Sequence, residues 1–352
     1  MTAVRPRSGG IGGSGSQARL QRPGTTGEES AGAHAFCSIV ITIERRCRHS
    51  ACGHHVIPLS QHPPPVRIHA LNYRHAFHAG NFADVMKHAV LARVRAHLAE
   101  KATAFRAIDT HAGLGVYDLA ADEAVRTAEW HDGWGRLAEP FGAEVEALLA
   151  PYRACVAAVR ARHGADAYPG SPAVIREGLR AGDRGVFVEL HPADAAALAE
   201  RYRSEARTKV MTLDGWTALN ALIPPPERRG LVLVDPPYEA RGEIDRLGSA
   251  LLRAVRKWPT GIYLGWYPIK DVAVVDRMTA ALDAGLARPA LRLDLMIERP
   301  DDPTRLSGAG LVVINPPWRL AAEAEMLLPA LAGRLARGGY GAFRCVPLGA
   351  CA

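Results

Sequence analysis

The tetrapeptide Asp235-Pro-Pro-Tyr238, which directly follows the apolar run LVLV, contains the residue types needed to methylate an amino group. The exocyclic amino nitrogen of adenine is a poor nucleophile, because its lone pair is delocalised into the ring. The carboxylate of Asp235 and the backbone carbonyl of Pro236 can accept its two hydrogens and direct the lone pair at a methyl donor. The two prolines stiffen that carbonyl, and Tyr238 offers a ring face on which an extruded base can stack.

A glycine-containing loop upstream is typical of a cofactor site. Asp109-x-x-x-Gly113-x-Gly115 follows a short apolar run, and glycine lets the backbone approach a ligand closely. The loop lacks the third glycine of the dinucleotide fingerprint and the Lys-Ser/Thr pair of a phosphate-binding loop. We therefore predict S-adenosylmethionine rather than NAD or ATP, although an ordinary glycine turn has the same spacing.

Two further acidic residues end predicted strands. Glu189 ends the strand that follows the loop, and an acidic residue at this place can accept both ribose hydroxyls of a nucleoside. Asp214-Gly215 ends the next strand, where Asp214 could accept the adenine amino group of the cofactor. Taken alone, Glu189 is equally consistent with a solvated strand end and Asp214 with a turn.

A second Pro-Pro motif, Asn315-Pro-Pro-Trp318, follows the apolar run LVVI. It is similar to the Asn-Pro-Pro-aromatic form that some amino methyltransferases use, including those that methylate glutamine amides of proteins. Its position on the last predicted hairpin places it far along the sheet from Asp109. We therefore expect Asn315 to form a structural turn, with glutamine methylation as the rival enzymatic reading.

The elements that must position these residues alternate between strands and helices. Apolar runs that predict strands cover residues 105–108, 185–190, 209–213, 230–234, 261–266, 291–297 and 310–314, and a helix is predicted over 82–101. Strands separated by helices favour a mostly parallel, doubly wound sheet, here closed by an antiparallel hairpin. Ligands of such sheets bind beyond the carboxyl ends of the strands. The helix-rich stretch 116–166 is too long for one crossover and predicts an inserted helical subdomain.

The first seventy residues differ from the rest of the 352-residue chain. They contain eight arginines, three glutamates and no lysine or aspartate, and so carry five of the seven net positive charges. Their Gly-, Ser- and Pro-rich sequence offers little apolar surface to offset the cost of ordering. We predict that residues 1–70 are a disordered leader or a start placed too far upstream, and that 71–352 form the methyltransferase domain. The six cysteines do not form the dense pattern of a disulfide framework, so we expect the protein in the reducing cytoplasm. No membrane-spanning segment is expected.

The matched motifs also resemble one known family. From about residue 71 onward, some four fifths of the chain resembles the bacterial RlmJ-type 23S rRNA adenine-N6 methyltransferases. The shared stretches, in order, are NYRHAFHAGNFADVMKH, IDTHAGLG, YPGSP, VELHP, DG, DPPY, GIYLGWYP and INPPW. The first is far more specific than the general methyltransferase loops, and the leader has no counterpart in the family.

The resemblance implies a class I Rossmann-like S-adenosylmethionine-dependent methyltransferase acting on 23S rRNA. It assigns cofactor binding to His88, His111, Ser171, Glu189, Asp214 and Gly215, the role of proton acceptor to Asp235, and RNA contact at the mouth of the site to Tyr73. The implied partner is naked or early-assembly 23S rRNA, and a monomer is expected. A non-catalytic RNA-binding module that keeps the fold is the rival outside enzymes.

Overall fold

The computed structural model describes residues 74–349, which contain ten strands and nine α-helices. The strands are β1 (Arg106–Asp109), β2 (Val116–Asp118), β3 (Ala167–Pro169), β4 (Arg184–Glu189), β5 (Thr208–Thr212), β6 (Gly230–Val234), β7 (Ile262–Ile269), β8 (Ala290–Met296), β9 (Gly308–Ile314) and β10 (Ala342–Leu348). The helices are α1 (Phe82–Ala99), α2 (Asp122–Thr127), α3 (Ala143–His163), α4 (Ser171–Arg176), α5 (Pro192–Tyr202), α6 (Gly215–Ala221), α7 (Glu243–Lys257), α8 (Val272–Gly285) and α9 (Leu320–Leu335).

Eight strands form one sheet in the order β10-β8-β9-β7-β6-β1-β4-β5. The five strands from β7 to β5 run parallel, whereas β9 is antiparallel to both β7 and β8. The chain moves from β1 outward through β4 to β5 and then returns to the other side of β1 as β6. The crevice beyond the carboxyl ends of β1 and β6 is therefore the topological switch point at which doubly wound folds bind ligands.

Helices cover both faces of the sheet because its strands are apolar on both sides. On one face, Ala107 and Leu233 pack with side chains of α1, α3, α4 and α9. On the other, Ile108 and Val234 pack with α6, α7 and α8. This three-layer Rossmann-like fold confirms the predicted class, and each predicted strand matches an observed one to within three residues.

Two features of the sheet differ from the prediction. The hairpin of β8 and β9 does not close it, because β10 pairs antiparallel with β8 and forms the edge. The insert is not wholly helical either, since β2 and β3 pair with each other at its two ends. Both errors arise because the missed strands lack a clear periodic pattern of apolar residues. The strand β10 is partly exposed, and β2 and β3 have only three residues each.

No helix within residues 74–349 is long and apolar enough to cross a membrane. Tyr73, the leader and four of the six cysteines lie outside the described residues.

Candidate active site

A cavity lies at the switch point, beyond the carboxyl ends of the central strands. It is lined by most of the residues singled out in the sequence, namely His88, His111, Gly113, Ser171, Glu189, Asp214, Gly215, Asp235 and Pro236. These residues come from six separate segments of the chain, and the parallel sheet brings them to one edge.

The glycine loop after β1 is shaped by Gly113. Its φ of +59° lies in the left-handed region, and a Cβ there would stand 2.3 Å from the hydroxyl of Tyr117. The Gly113 amide donates to Oε2 of Glu189 at 2.8 Å, and the His191 amide donates to Oε1 at 2.7 Å. The carboxylate of Glu189 is thereby fixed at the cavity wall, and its remaining lone pairs can accept ribose hydroxyls.

Asp214 forms a turn and also lies where a cofactor could reach it. As the N-cap of α6 its Oδ2 accepts from the Thr217 amide at 2.8 Å, and the residue also lines the cavity. Gly215 must be glycine, because a Cβ would meet the Thr110 carbonyl oxygen at 2.3 Å and Nε2 of His111 at 2.5 Å. The loops after β1 and β5 therefore approach each other closely at the cavity wall.

Two of the histidines that line the cavity, His88 and His111, are neutral at pH 7. Burial lowers the pKa of His88 to about 3 and that of His111 to about 4, although nearby carboxylates oppose the shift in both cases. Nδ1 of His88 lies 3.2 Å from the Tyr168 hydroxyl, whereas its buried Nε2 has no hydrogen-bond partner among the described residues. His88 therefore has one ring nitrogen left for a ligand.

Asp109 lies behind the cavity wall rather than on it. The side chain is fully buried, and its Oδ1 accepts from the His111 amide at 3.3 Å. Burial, helped by the charge of Asp235, raises its pKa to about 7, while a hydrogen bond with Ser171 opposes the rise. Asp109 can therefore contact a ligand only through Ser171 and the loop that it supports.

Asp235 follows β6, and its carboxylate is held by a residue to which the sequence analysis gave no role. Nζ of Lys87, on α1, lies 2.6 Å from Oδ2 of Asp235 and 2.9 Å from Oδ1 of Asp84. Burial alone would lower the pKa of Lys87, but the two carboxylates outweigh it and raise the pKa above its usual value. The sequence signal for this site was a charged pair, Asp84 and Lys87, within a helix whose buried residues are otherwise mostly apolar.

A second cavity adjoins the first on the far side of Asp235. It is lined by Tyr238, Trp266 and Lys270, and it shares Asp235 and Pro236 with the first cavity. The Tyr238 hydroxyl donates to the backbone carbonyl of Trp266, and the two ring centroids are 5.6 Å apart. Flat aromatic walls next to two hydrogen-bond acceptors suit a planar base that carries an amino group.

Asn315 lies at the opposite end of the strands from Asp235. Because β9 runs antiparallel to β7, Ile314 pairs with Tyr263 near the start of β7, whereas Val234 pairs with Gly265 further along it. The Asn315 side-chain amide donates to the Gly261 carbonyl at 2.7 Å, and its φ of +54° is tolerated by asparagine. This second Pro-Pro motif forms a structural turn, as expected.

The first cavity fits S-adenosylmethionine. Gly113 allows a ligand to approach the backbone closely, and Glu189 presents a carboxylate to which a ribose can donate. The neutral ring of His88 and the hydroxyl of Ser171 add further polar groups to the cavity wall. Asp194, Asp214 and Asp235 also line this cavity. Such an acidic lining favours a cationic sulfonium and disfavours the phosphates of a nucleotide.

Comparisons with known proteins agree with this arrangement. The family model described as ribosomal RNA large subunit methyltransferase D, RlmJ, matches residues 102–346. The chain is 37% identical to ribosomal RNA large subunit methyltransferase J of Escherichia coli K12 over 273 residues, 77% of this chain and 96% of that protein. It is 35% identical to the Haemophilus influenzae protein of the same name, over 78% of this chain and 97% of that protein. The crystal structure of LPL1258 from Legionella pneumophila superposes with a TM-score of 0.69 at 30% identity, over 77% of this chain and 98% of that one.

Proposed function

The chain belongs to the RlmJ family of ribosomal RNA large subunit methyltransferases, and from this premise we propose that it methylates the N6 amino group of one adenine in 23S rRNA. The methyl donor is S-adenosylmethionine, whose sulfonium supplies an electrophilic methyl group. The observation that supports the adenine assignment is that Asp235 and Pro236 line both cavities at once.

Asp235 and Pro236 would orient the amino nitrogen. One hydrogen of N6 is donated to the Asp235 carboxylate and the other to the Pro236 carbonyl, which turns the nitrogen lone pair toward the first cavity. Because Lys87 already occupies Oδ2 of Asp235, Oδ1 is the oxygen left for the substrate. Orientation of this kind contributes at most about 7–11 kcal/mol to lowering a barrier.

The proton that N6 loses must leave during or after methyl transfer, because the neutral amino group is too weak an acid to lose it first. Lys87 stays protonated between its two carboxylates and cannot accept it. We assign acceptance to Asp235 or to water. Tyr238 would hold the ring of the flipped base by stacking.

The remaining assignments follow from the walls of the two cavities. We propose that Glu189 binds the cofactor ribose, that Asp214 accepts from its adenine amino group, and that His88 and Ser171 bind its polar groups. Tyr73 precedes Arg74 in the sequence, and because Arg74 lines the second cavity, we assign Tyr73 a contact with RNA.

Two measurements test the proposal. Mass-spectrometric mapping of 23S rRNA from a deletion strain should show one unmethylated adenine that the wild-type gene restores. Purified protein should transfer methyl from S-adenosylmethionine to a short 23S rRNA hairpin containing that adenine, and to no protein. Methyl incorporation into protein glutamine would instead support the rival enzyme, and cofactor binding without any product would indicate a non-catalytic RNA-binding module.

A further inference from the structure

Asp84 is a buried carboxylate beneath the reacting groups. It stands in the first turn of α1, and its Oδ2 accepts from the Gly80 amide at 2.9 Å. An acidic residue at this place commonly serves the helix N-terminus from the protein surface. Asp84 is only 1% exposed, and because a buried charge is costly, helix capping alone does not account for it.

The other contacts of Asp84 all lead to the active site. Its Oδ2 lies 3.0 Å from Nε2 of His75, its Oδ1 lies 2.9 Å from Nζ of Lys87, and its Oδ1 lies 3.8 Å from Nε2 of His88. His75 and Lys87 line both cavities, and His88 lines the cofactor cavity. The Asp84 carboxylate therefore contacts residues of both cavities, the one proposed for the methyl donor and the one proposed for the base that accepts the methyl group.

Asp84 remains ionised in this position. Burial would raise its pKa, but the interaction with His75 and the charge of Lys87 outweigh burial and hold the pKa of Asp84 well below its usual value. The side chain of Lys87 has a flexible four-carbon stem and three donors. Only Asp84 and Asp235 are bonded to its ammonium among the described residues, so Asp84 limits how that ammonium approaches Asp235.

We infer that Asp84 is a positioning residue for methyl transfer, holding Lys87 on Oδ2 of Asp235 so that Oδ1 stays available to the adenine amino group. Without the Asp84 charge, the Lys87 ammonium can turn all its donors to Asp235 and cover both oxygens. This inference rests on the proposed function.

The test is the variant Asp84→Asn, which keeps the side-chain shape and an acceptor for the Gly80 amide. At saturating RNA hairpin, its single-turnover rate per folded molecule should fall ~10- to 100-fold, the scale of loss expected from misplacing a reacting group by about 1 Å. Its affinity for S-adenosylhomocysteine, measured by calorimetry, should stay within about 3-fold of wild type, and the hairpin KM should change as little.

Asp183→Asn is the matched control for a structural carboxylate. Asp183 is fully buried and accepts from the amides of Arg180 and Phe105, just before β4 and away from the cavity. This variant should unfold more easily but methylate at the wild-type rate per folded molecule. If Asp84→Asn behaves in the same way, Asp84 is structural and the inference is overturned.

A second comparison tests whether Asp84 acts through Lys87. Adding Asp84→Asn to Lys87→Met should lower the rate by no more than about 2-fold, because residues that act as a unit give non-additive losses. The double variant removes a cation and a carboxylate together, so it remains informative if Asp84→Asn alone does not fold. Losses that multiply in the double variant would overturn the inference alone, whereas a wild-type protein that methylates no RNA would overturn the proposed function with it.

Discussion

The ammonium of Lys87 lies 2.6 Å from Oδ2 of Asp235, although the two residues are 148 positions apart in the chain. Lys87 is carried by α1, ahead of the first strand, and Asp235 by the loop after β6. The carboxylate to which we assign the substrate amino group is therefore held by a cation from a different element, before any substrate binds. This pre-orientation avoids an ordering cost during the reaction itself.

The contrast between the two Pro-Pro motifs gives the first prediction. Asp235→Ala should keep the fold and cofactor binding but abolish methylation, because the reacting nitrogen loses its acceptor, whereas Lys87 keeps its ion pair with Asp84. Asn315→Ala should lower stability modestly, through loss of its bonds to Pro259 and Gly261, and leave the rate per folded molecule within a few-fold of wild type. Single-turnover methylation of the hairpin, corrected for folded fraction, measures both. If the Asn315 variant were inactive and the Asp235 variant active, the site would have to be assigned to Asn315, at the opposite end of the strands.

Glu189 should control cofactor affinity. Glu189→Ala removes the acceptor for ribose and leaves the amides of Gly113 and His191 without their partner. We expect binding of S-adenosylhomocysteine to weaken by about 1–3 kcal/mol, the cost of losing a charged hydrogen bond. Calorimetry measures this loss, and Glu189→Gln, which retains one acceptor oxygen, should lose less. Unchanged affinity in both variants would reject the ribose assignment.

Tyr238 should act through its ring rather than its hydroxyl. The hydroxyl donates to the Trp266 carbonyl and is therefore occupied within the protein. Tyr238→Ala should lower kcat/KM for the hairpin by an amount equal to about 1–3 kcal/mol, the typical contribution of stacking on a base. Tyr238→Phe should retain most of the activity. Equal losses in the two variants would show that the hydroxyl, and not the ring, serves the reaction.

His88 should make the protein sensitive to acid. An unfolded histidine titrates near pH 6.5, whereas burial lowers the pKa of His88 to about 3. Its contribution to the free energy of unfolding is thus fully present above pH 6.5 and is lost as the pH falls, by up to about 1.4 kcal/mol per pH unit. Urea denaturation at pH 7, 6 and 5 should show the stability difference between wild type and His88→Gln narrowing. A difference that stays constant over this range would mean that His88 does not titrate as inferred.

The first seventy residues should be dispensable. The alignment with the Escherichia coli relative includes 77% of this chain and 96% of that protein. The leader sequence is also poor in apolar residues. We expect a chain that begins at Ala70 to melt at the same temperature and to methylate the hairpin at the same rate. The measurement is repeated at low salt, where a loss of activity in the shortened chain alone would show that the leader arginines help to hold RNA.

Much of the fold could be predicted because its signals are local. The strand β6 was predicted with its observed bounds and the helix α1 to within two residues, since an apolar run between polar residues, or apolar residues at helical spacing, needs no distant partner. The edge strand β10 was missed because its pattern is weak and its pairing with β8 depends on a segment more than forty residues earlier.

The candidate site divides in the same way. The sequence alone determined which loops follow the strands and line the cavity, since each combines a strand end with a polar residue or glycine: Asp109-x-x-x-Gly113, Glu189, Asp214-Gly215 and Asp235-Pro-Pro-Tyr238. Only the tertiary structure decided that Lys87 and Asp84 stand behind Asp235, and that the Asn315 side chain is bonded to the Pro259 and Gly261 carbonyls. The reason is physical: strand direction and helix packing are set by contacts between distant segments, and a charge is worth burying only where those contacts bring it a partner.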